Sequence, residues 1–301
     1  MRWQIGDVKT RHLGNQTTGR IEVGAIGLGL MTFDQTGTQP REQLAATVRA
    51  ALDAGVTLFD TADAYGPGDE LGAAAQGANE RLIAGLLDEL GVRDQVLLAT
   101  KGGHVRTEGG GWGTDSSAAH LHEAVDASLE RLGVEQIALW QHHRPSSKTP
   151  YDEVIGTLKE IHDSGKVRMI GLSNADPEQI RAAHAVLGDA LVSVQNQFSP
   201  KFRSSRPEID VCDELGLAFL PWSPLGGLSD AKELAEQHPA FAEVAAARGV
   251  SAQQVALAWE LAQSPVVIPI PGAKRPQSVT DSAAAADLDL TPDELARLDA
   301  D

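Results

Sequence analysis

The sequence predicts an α/β fold in which eight strand-then-helix units close into a (β/α)8 TIM barrel. Two patterns carry that expectation: short apolar runs, several rich in Val and Ile and each too short for an independent helix, and helix-length segments between them. Punctuation is the third, since several helical segments begin at Pro or Asp-Pro and several stop at Gly55, Gly91, Gly133 or Gly165. Returning to one sheet through a crossover helix makes neighbouring strands parallel, so repeating the unit builds a parallel sheet. With 301 residues, 42% of them hydrophobic, the chain can bury a core that suits a single domain over residues 1–301.

In chain order, the expected strands are Ala25–Leu30, Val56–Ala62, Val96–Thr100, Ile137–Gln141, Val167–Leu172, Leu191–Gln195, Leu217–Trp222 and Val266–Ile270. The helical segments are Arg41–Ala54, Asn79–Leu90, Ser117–Leu132, Tyr151–Ser164, Pro177–Leu187, Pro207–Leu215 and Ser251–Ala262, with Pro276–Ala285 after the last strand. Three additions break the bare alternation. Val8–Leu13 and Arg20–Val23 flank Gly14, Asn15 and Gln16, a β-hairpin pattern ahead of the first strand. Ala231–Gly249 reads as extra helix before the seventh barrel helix, and Thr291 with Glu294 caps a last short C-terminal helix. An open doubly wound sheet would carry a glycine-rich phosphate loop after its first strand, and Gly24 to Gly29 matches neither its spacing nor its context.

A formal charge of -17 argues against nucleic acid or an anionic membrane as partner, because both are gripped through excess Lys and Arg. Any bound anion must then be held by local cations. The run from Val23 to Phe33 reads as a buried strand rather than a secretory signal, and no stretch reaches the ~20 apolar residues of a membrane-spanning helix. Cys212 is the one cysteine, which excludes an intrachain disulfide; it reads as a core thiol, and a cytoplasmic location is expected.

In such a barrel the chemistry gathers where strands end and loops lead to helices. That filter selects Asp60 and Tyr65 after the second strand, Lys101 after the third, His142 and His143 after the fourth, Ser173 and Asn174 after the fifth, Gln195 after the sixth, and Trp222 and Ser223 after the seventh. A phenol serves as a general acid when a nearby cation stabilises its phenolate, and Lys101, kept charged by Asp60, is the cation at hand. His143 would hydrogen-bond the substrate oxygen and share the proton, as a group whose pKa lies near working pH. Adjacent strand residues face opposite ways, so one of His142 and His143 enters the site, and Pro145 two residues on points to His143.

No metal is needed, and His120 and His122, two apart on a helix, share no face. Lys101 could instead form a Schiff base, as in an aldolase, but a neighbouring carboxylate would hold its amine protonated. Trp112, in the loop Gly109–Gly113, reads either as a substrate contact or as loop packing.

Phe59 to Gly66 (Phe-Asp-Thr-Ala-Asp-Ala-Tyr-Gly), Thr100-Lys101, Gln141 to Pro145, Gly171 to Asn174 and Pro221 to Gly226 resemble the motifs of the aldo-keto reductases, in order and over nearly the whole chain. The resemblance implies NADPH-dependent reduction of an aldehyde or ketone, with a catalytic tetrad at Asp60, Tyr65, Lys101 and His143. It implies that Ser173, Asn174 and Gln195 bind the nicotinamide carboxamide, that Trp222 stacks under its ring where the family often has Tyr, and that Ser223 and Leu225 line the pyrophosphate.

The segment Ile270–Pro276, with Gly272 and Lys274, is similar to the one that holds the adenosine 2′-phosphate. Ser278 and Ser282 stand near the adenine where the family often has Arg or Gln and Asn, which weakens the cofactor preference, while Lys274 keeps NADPH ahead of NADH. A likeness to potassium-channel β subunits implies a second reading, a cofactor-loaded regulatory or binding subunit. Substrate identity and oligomeric state are not carried by the sequence.

Overall fold

The structure, a computed structural model, describes residues 8–33, 37–67, 74–107, 111–227 and 230–301, with the side chains of 230 and 232 excepted. Gly109 and Gly110, read above as loop residues, lie outside the described residues.

Seven strands form one parallel sheet: β3 (Leu28–Gly29), β4 (Leu58–Asp60), β5 (Leu97–Gly102), β8 (Ile137–His142), β9 (Val167–Ser173), β10 (Leu191–Gln195) and β11 (Ala218–Phe219), adjacent in that order. The eighth run closes the ring without regular strand pairing. On one side Phe219 N–H donates to Val266 O, Ile268 N–H to Phe219 O and Ile270 N–H to Pro221 O; on the other, Gly27 N–H donates to Pro269 O and Gly29 N–H to Pro271 O. Pro269 and Pro271 bring no N–H, so the ladder there is one-sided and the element is irregular although its place in the barrel is as expected. A Cβ on Gly29 would sit 2.7 Å from Ile270 O, so the seam requires glycine there.

β1 (Thr10–Leu13) and β2 (Ile21–Gly24) pair antiparallel as the expected hairpin. Asn15 builds its turn by accepting from the N–H groups of Thr17 and Thr18. Leu13 and Val23 project into the barrel lumen against Leu58, Leu97, Leu139 and Met169. Arg168 Nε donates to Thr18 O and Asn15 Nδ2 to Asp189 O, near the starts of β9 and β10, so the hairpin stoppers the end opposite the strand termini.

Helices α1 (Arg41–Asp53), α2 (Ala78–Leu90), α3 (Ala118–Leu132), α4 (Tyr151–Asp163), α5 (Pro177–Leu187) and α6 (Arg206–Leu215) surround the sheet. Gly55, Gly91, Gly133 and Gly165 have φ of 77°, 65°, 67° and 79°, the left-handed stops the sequence implied. The helical insertion before the seventh barrel helix is two helices, α7 (Asp230–Gln237) and α8 (Pro239–Arg248), divided where Pro239 has no N–H to continue the first. α9 (Ala252–Gln263), α10 (Pro276–Ala284) and α11 (Pro292–Asp299) complete the chain, the last opened by a capping box between Thr291 and Glu294. The loop after β5, expected to be irregular, holds a second hairpin, β6 (His104–Arg106) against β7 (Trp112–Thr114). Among the described residues no helix is long and apolar enough to cross a membrane.

Trp259 of α9 anchors the C-terminal additions. Its ring stacks on Phe198 at 5.3 Å and 5°, meets Phe241 of α8 edge-on, lies under the Arg203 guanidinium, and donates Nε1–H to Asp299 of α11 at 2.7 Å. Truncation by Trp259→Ala should lower the unfolding free energy by about 3–5 kcal/mol. A urea titration checks it, the midpoint falling at unchanged slope.

Candidate active site

A cavity of about 780 Å³ opens at the strand ends. At its base β4 ends in Asp60 and β5 carries Lys101, whose side chain is 0% exposed. Lys101 Nζ donates to Asp60 Oδ2 at 2.5 Å, to Thr61 O at 2.9 Å and to the Tyr65 hydroxyl at 3.4 Å. Asp60 Oδ1 accepts from Gln141 Nε2 and Gln195 Nε2, each at 2.9 Å. Gly171 makes room for this crossing: a Cβ there would meet Gln141 Cγ at 2.7 Å and Ser193 Oγ at 2.6 Å.

Burial lowers the Lys101 pKa, but the charge of Asp60 and contact with Tyr65 outweigh it and raise it above the usual lysine value. The ammonium is therefore fixed, and its bonds leave no free lone pair for a Schiff base. Burial also raises Tyr65, opposed by the Lys101 charge and assisted by Asp60. Burial is the larger effect and Lys101 offsets part of it, so the phenol stays protonated at neutral pH, the state a general acid needs.

Tyr65 stands edge-on to His143, ring centres 5.6 Å apart. His143 lines the cavity, while its neighbour His142 points away, its Nε2 2.9 Å from Ser116 Oγ. His143 does not titrate near working pH as expected. Burial first, then the Lys101 charge, lower it well below 6.5, so the ring is neutral and acts by hydrogen bonding.

The loop that carries Tyr65 is held from the helix side by buried polar groups. Thr61 Oγ1 donates to Asn79 Oδ1, Asn79 Nδ2 donates to Leu30 O, and Asp63 N–H donates to Lys101 O. Beneath them Glu80, fully buried, accepts from Thr100 Oγ1 and Arg131 Nε. Burial, with the Glu80 charge adding to it, pushes Asp63 up to about 8.

Along the cavity, Ser173, Asn174, Gln195, Trp222, Ser223, Leu225, Gly272, Lys274 and Ser278 all contribute to the wall. Asn174 and Ser223 are the non-glycine residues with positive φ, 59° and 51°, among the described residues. Left-handed backbone in a non-glycine residue is costly and concentrates at functional sites. Asn174 is held there by N–H to Gln195 O and by Nδ2 to His143 O and Ser173 Oγ. Gln195, expected to face a carboxamide, spends its Nε2 on Asp60 and Gln141. Ser282 is not brought to the cavity: it sits one turn deeper than Ser278 in α10 and is buried.

Trp112, a residue 42% exposed, reaches the cavity wall and stacks on His104 at 4.8 Å. Gln141, His104, Arg144 and Gln43 were not assigned from the sequence. Gln141 had a signal, since strand alternation puts it on the face of His143 two residues on. Gln43 of α1, whose Nε2 donates to Lys274 O, had none, because helix position does not reveal a tertiary partner. No group of three His, Cys, Asp or Glu able to hold a metal occurs among the described residues.

A parallel barrel whose strand ends gather a buried lysine–aspartate pair, a phenol and a neutral imidazole around one elongated cavity defines an enzyme class of (β/α)8 oxidoreductases. Residues 25–300 match the model of the Aldo/keto reductase family, and the chain belongs to it. It is 37% identical over 274 residues to the 6-dehydroglucose reductase of Novosphingobium aromaticivorans, covering 88% of this chain and 87% of that protein. It is 31% identical over 315 residues to the NADP(+) aldo-keto reductase yakc of Schizosaccharomyces pombe, covering 94% and 88%. Among solved structures, an aldo/keto reductase from Klebsiella pneumoniae in complex with NADP and acetate superposes with a TM-score of 0.80 at 28% identity, over 97% of this chain and 95% of that one.

His142 ties the site to acid stability. Burial lowers its pKa to about 4, so the fold favours the neutral ring. Its contribution is complete above the unfolded value of about 6.5 and is lost as pH falls through the folded value, with a slope of about 1.4 kcal/mol per pH unit in between. Urea unfolding across that window should show the acid limb of the native protein flattened in His142→Leu.

Proposed function

We propose that the protein reduces an aldehyde or ketone to an alcohol with NADPH, Tyr65 being the proton donor. The observation that carries the reading is the Lys101 ammonium, which bonds the Asp60 carboxylate and the Tyr65 hydroxyl together at the cavity base.

The chain's own residues fit a nicotinamide dinucleotide phosphate. One end of the cavity offers Lys274, Arg275 and Ser278 at the N-terminus of α10, where cations and the helix dipole both favour a phosphate. Trp222 offers an aromatic surface in mid-cavity, and its buried Nε1 has no protein partner. Ser173 and Asn174 offer polar atoms beside His143. When bound, the reduced cofactor supplies a hydride to the carbonyl carbon.

The protein supplies the proton and the place for the carbonyl. His143, neutral, hydrogen-bonds the carbonyl oxygen and orients it toward the phenol. Tyr65 donates its proton to that oxygen as charge develops on it. The phenolate left behind lies 3.4 Å from Lys101 Nζ, so the charge forms beside a cation already in place. Asp60 keeps that cation from losing its own proton. Trp112, His104 and Arg144 line the cavity, and Trp112 stacks on His104, which packs against His143; that supports reading Trp112 as a substrate contact.

Two measurements test this. Tyr65→Phe should lower the rate of NADPH-dependent aldehyde reduction by roughly 10²–10⁴-fold, the usual worth of a positioned acid, while NADPH affinity by fluorescence quenching stays near native; native turnover would refute the assignment. Lys274→Ala should weaken NADPH roughly 10–100-fold, the value of a charge-assisted hydrogen bond, and barely alter NADH. Equal native affinities for the two cofactors would overturn the phosphate reading.

A further inference from the structure

The β6–β7 hairpin after β5 is connected to Tyr65 in two independent ways. Through rings, Trp112 stacks on His104 at 4.8 Å, His104 meets His143 edge-on at 4.8 Å, and His143 meets Tyr65 at 5.6 Å. Through backbone, Arg106 Nε donates to Ala64 O and Arg106 Nη2 to Gly66 O, both at 2.8 Å, so one guanidinium grips the carbonyls on either side of Tyr65. Arg106 and Trp112 are directly paired across the hairpin, and the guanidinium lies 4.7 Å from the Trp112 ring. The chain of contacts closes on itself: phenol, imidazole, imidazole, indole, guanidinium, phenol loop.

We propose that Arg106 is a positioning residue for Tyr65, and that with Trp112 it makes the hairpin one rigid part that presents both the substrate wall and the proton donor. The inference rests on the reading of Tyr65 as that donor. Its physical basis is how the backbone carbonyls around Tyr65 are spent. Tyr65 O accepts from Asn79 N–H at the start of α2, and Tyr65 N–H donates to Ala62 O. With Arg106 on the two flanking carbonyls, the backbone from residue 64 to 66 has its orientation fixed on both sides of the catalytic side chain.

A planar guanidinium delivers two parallel N–H groups at set spacing, which a lysine ammonium does not. Arg106 is itself 9% exposed. Trp112 covers one face of it, where stacking and cation–π attraction hold the fork against rotation. Substrate pressing on Trp112 therefore bears on the same group that sets the phenol.

The test compares the full-length native protein with Arg106→Lys, Arg106→Met, Trp112→Ala and the Arg106→Lys/Trp112→Ala double variant. Each is assayed by single-turnover aldehyde reduction, its solvent deuterium isotope effect, and NADPH affinity. Arg106→Met should slow reduction by roughly 10²-fold, the cost of an ångström-scale misplacement, and should raise the solvent isotope effect because proton delivery becomes slow. NADPH affinity should stay native, and Arg106→Lys, reaching one carbonyl of the two, should recover part of the rate.

The losses in Arg106→Lys and Trp112→Ala should fail to multiply in the double variant, since both act through one element. A folded Arg106→Met with native rate and isotope effect would overturn the proposal, as would a slower variant whose isotope effect is native, the mark of a merely structural role. If Arg106→Met does not fold, the double-variant cycle decides, and losses that multiply independently overturn the proposal. Tyr65→Phe in the same assay separates the two levels. If it turns over normally, the proton-donor reading itself fails; if it is inactive while the Arg106 variants are native, only this inference falls.

Discussion

Lys101 and Asp60 form an ion pair with side chains 0% and 4% exposed, and the rest of the site is arranged to make that pair tolerable. Removing two charges from water costs several kcal/mol per ion, and Coulomb attraction alone does not reliably return it. Here the remaining hydrogen-bonding capacity is used: Thr61 O and Tyr65 on the ammonium, Gln141 and Gln195 on the carboxylate. Those partners come from β8, β10 and the loop after β4, so the pair is assembled only when the sheet has curled round. The charge that readies the phenol is thus a product of barrel closure, not of any local segment. Glu80, buried beneath the same loop, repeats the device on a smaller scale with Arg131 and Thr100.

The histidines illustrate how one strand sorts chemistry by face. His142 and His143 are neighbours in sequence with similar direction of shift, yet one bonds Ser116 outside the lumen and the other faces Tyr65. Burial keeps both rings neutral. In His143 the Lys101 charge reinforces that state, which suits a hydrogen-bonding ring better than a proton carrier. On the proposed mechanism the labour divides: Tyr65 gives the proton, Lys101 keeps the charge, and His143 keeps the geometry.

Much of this was legible in the residues. Alternating apolar runs and glycine stops gave the order of strands and helices, because period and punctuation are local properties. The strand-end rule gathered Asp60, Tyr65, Lys101 and His143, because barrel topology fixes which ends share a rim. What escaped was set by tertiary context. The β6–β7 hairpin is divided by a glycine-rich stretch with no alternating pattern. The sign of the Tyr65 shift and the displacement of His143 from working pH came from desolvation, which no sequence window reports. Ser282, one helical turn beyond Ser278, is buried off the cavity wall, which spacing without a pocket does not reveal.

The proline-bearing seam has a last consequence. Between the first strand and the eighth run, the closing bonds run from Gly27 and Gly29 onto the carbonyls of Pro269 and Pro271. That join amounts to an isolated bridge, Gly29 with Gly272, whereas β5, β8 and β9 pair over several consecutive residues. The residues just beyond it, Gly272, Lys274 and Ser278, belong to the cavity wall. A ligand gripped there works like a latch on a hoop: whatever free energy it gains from the folded form also holds the two ends of the ring together. Ligand occupancy and the integrity of the whole barrel are therefore two readings of one equilibrium.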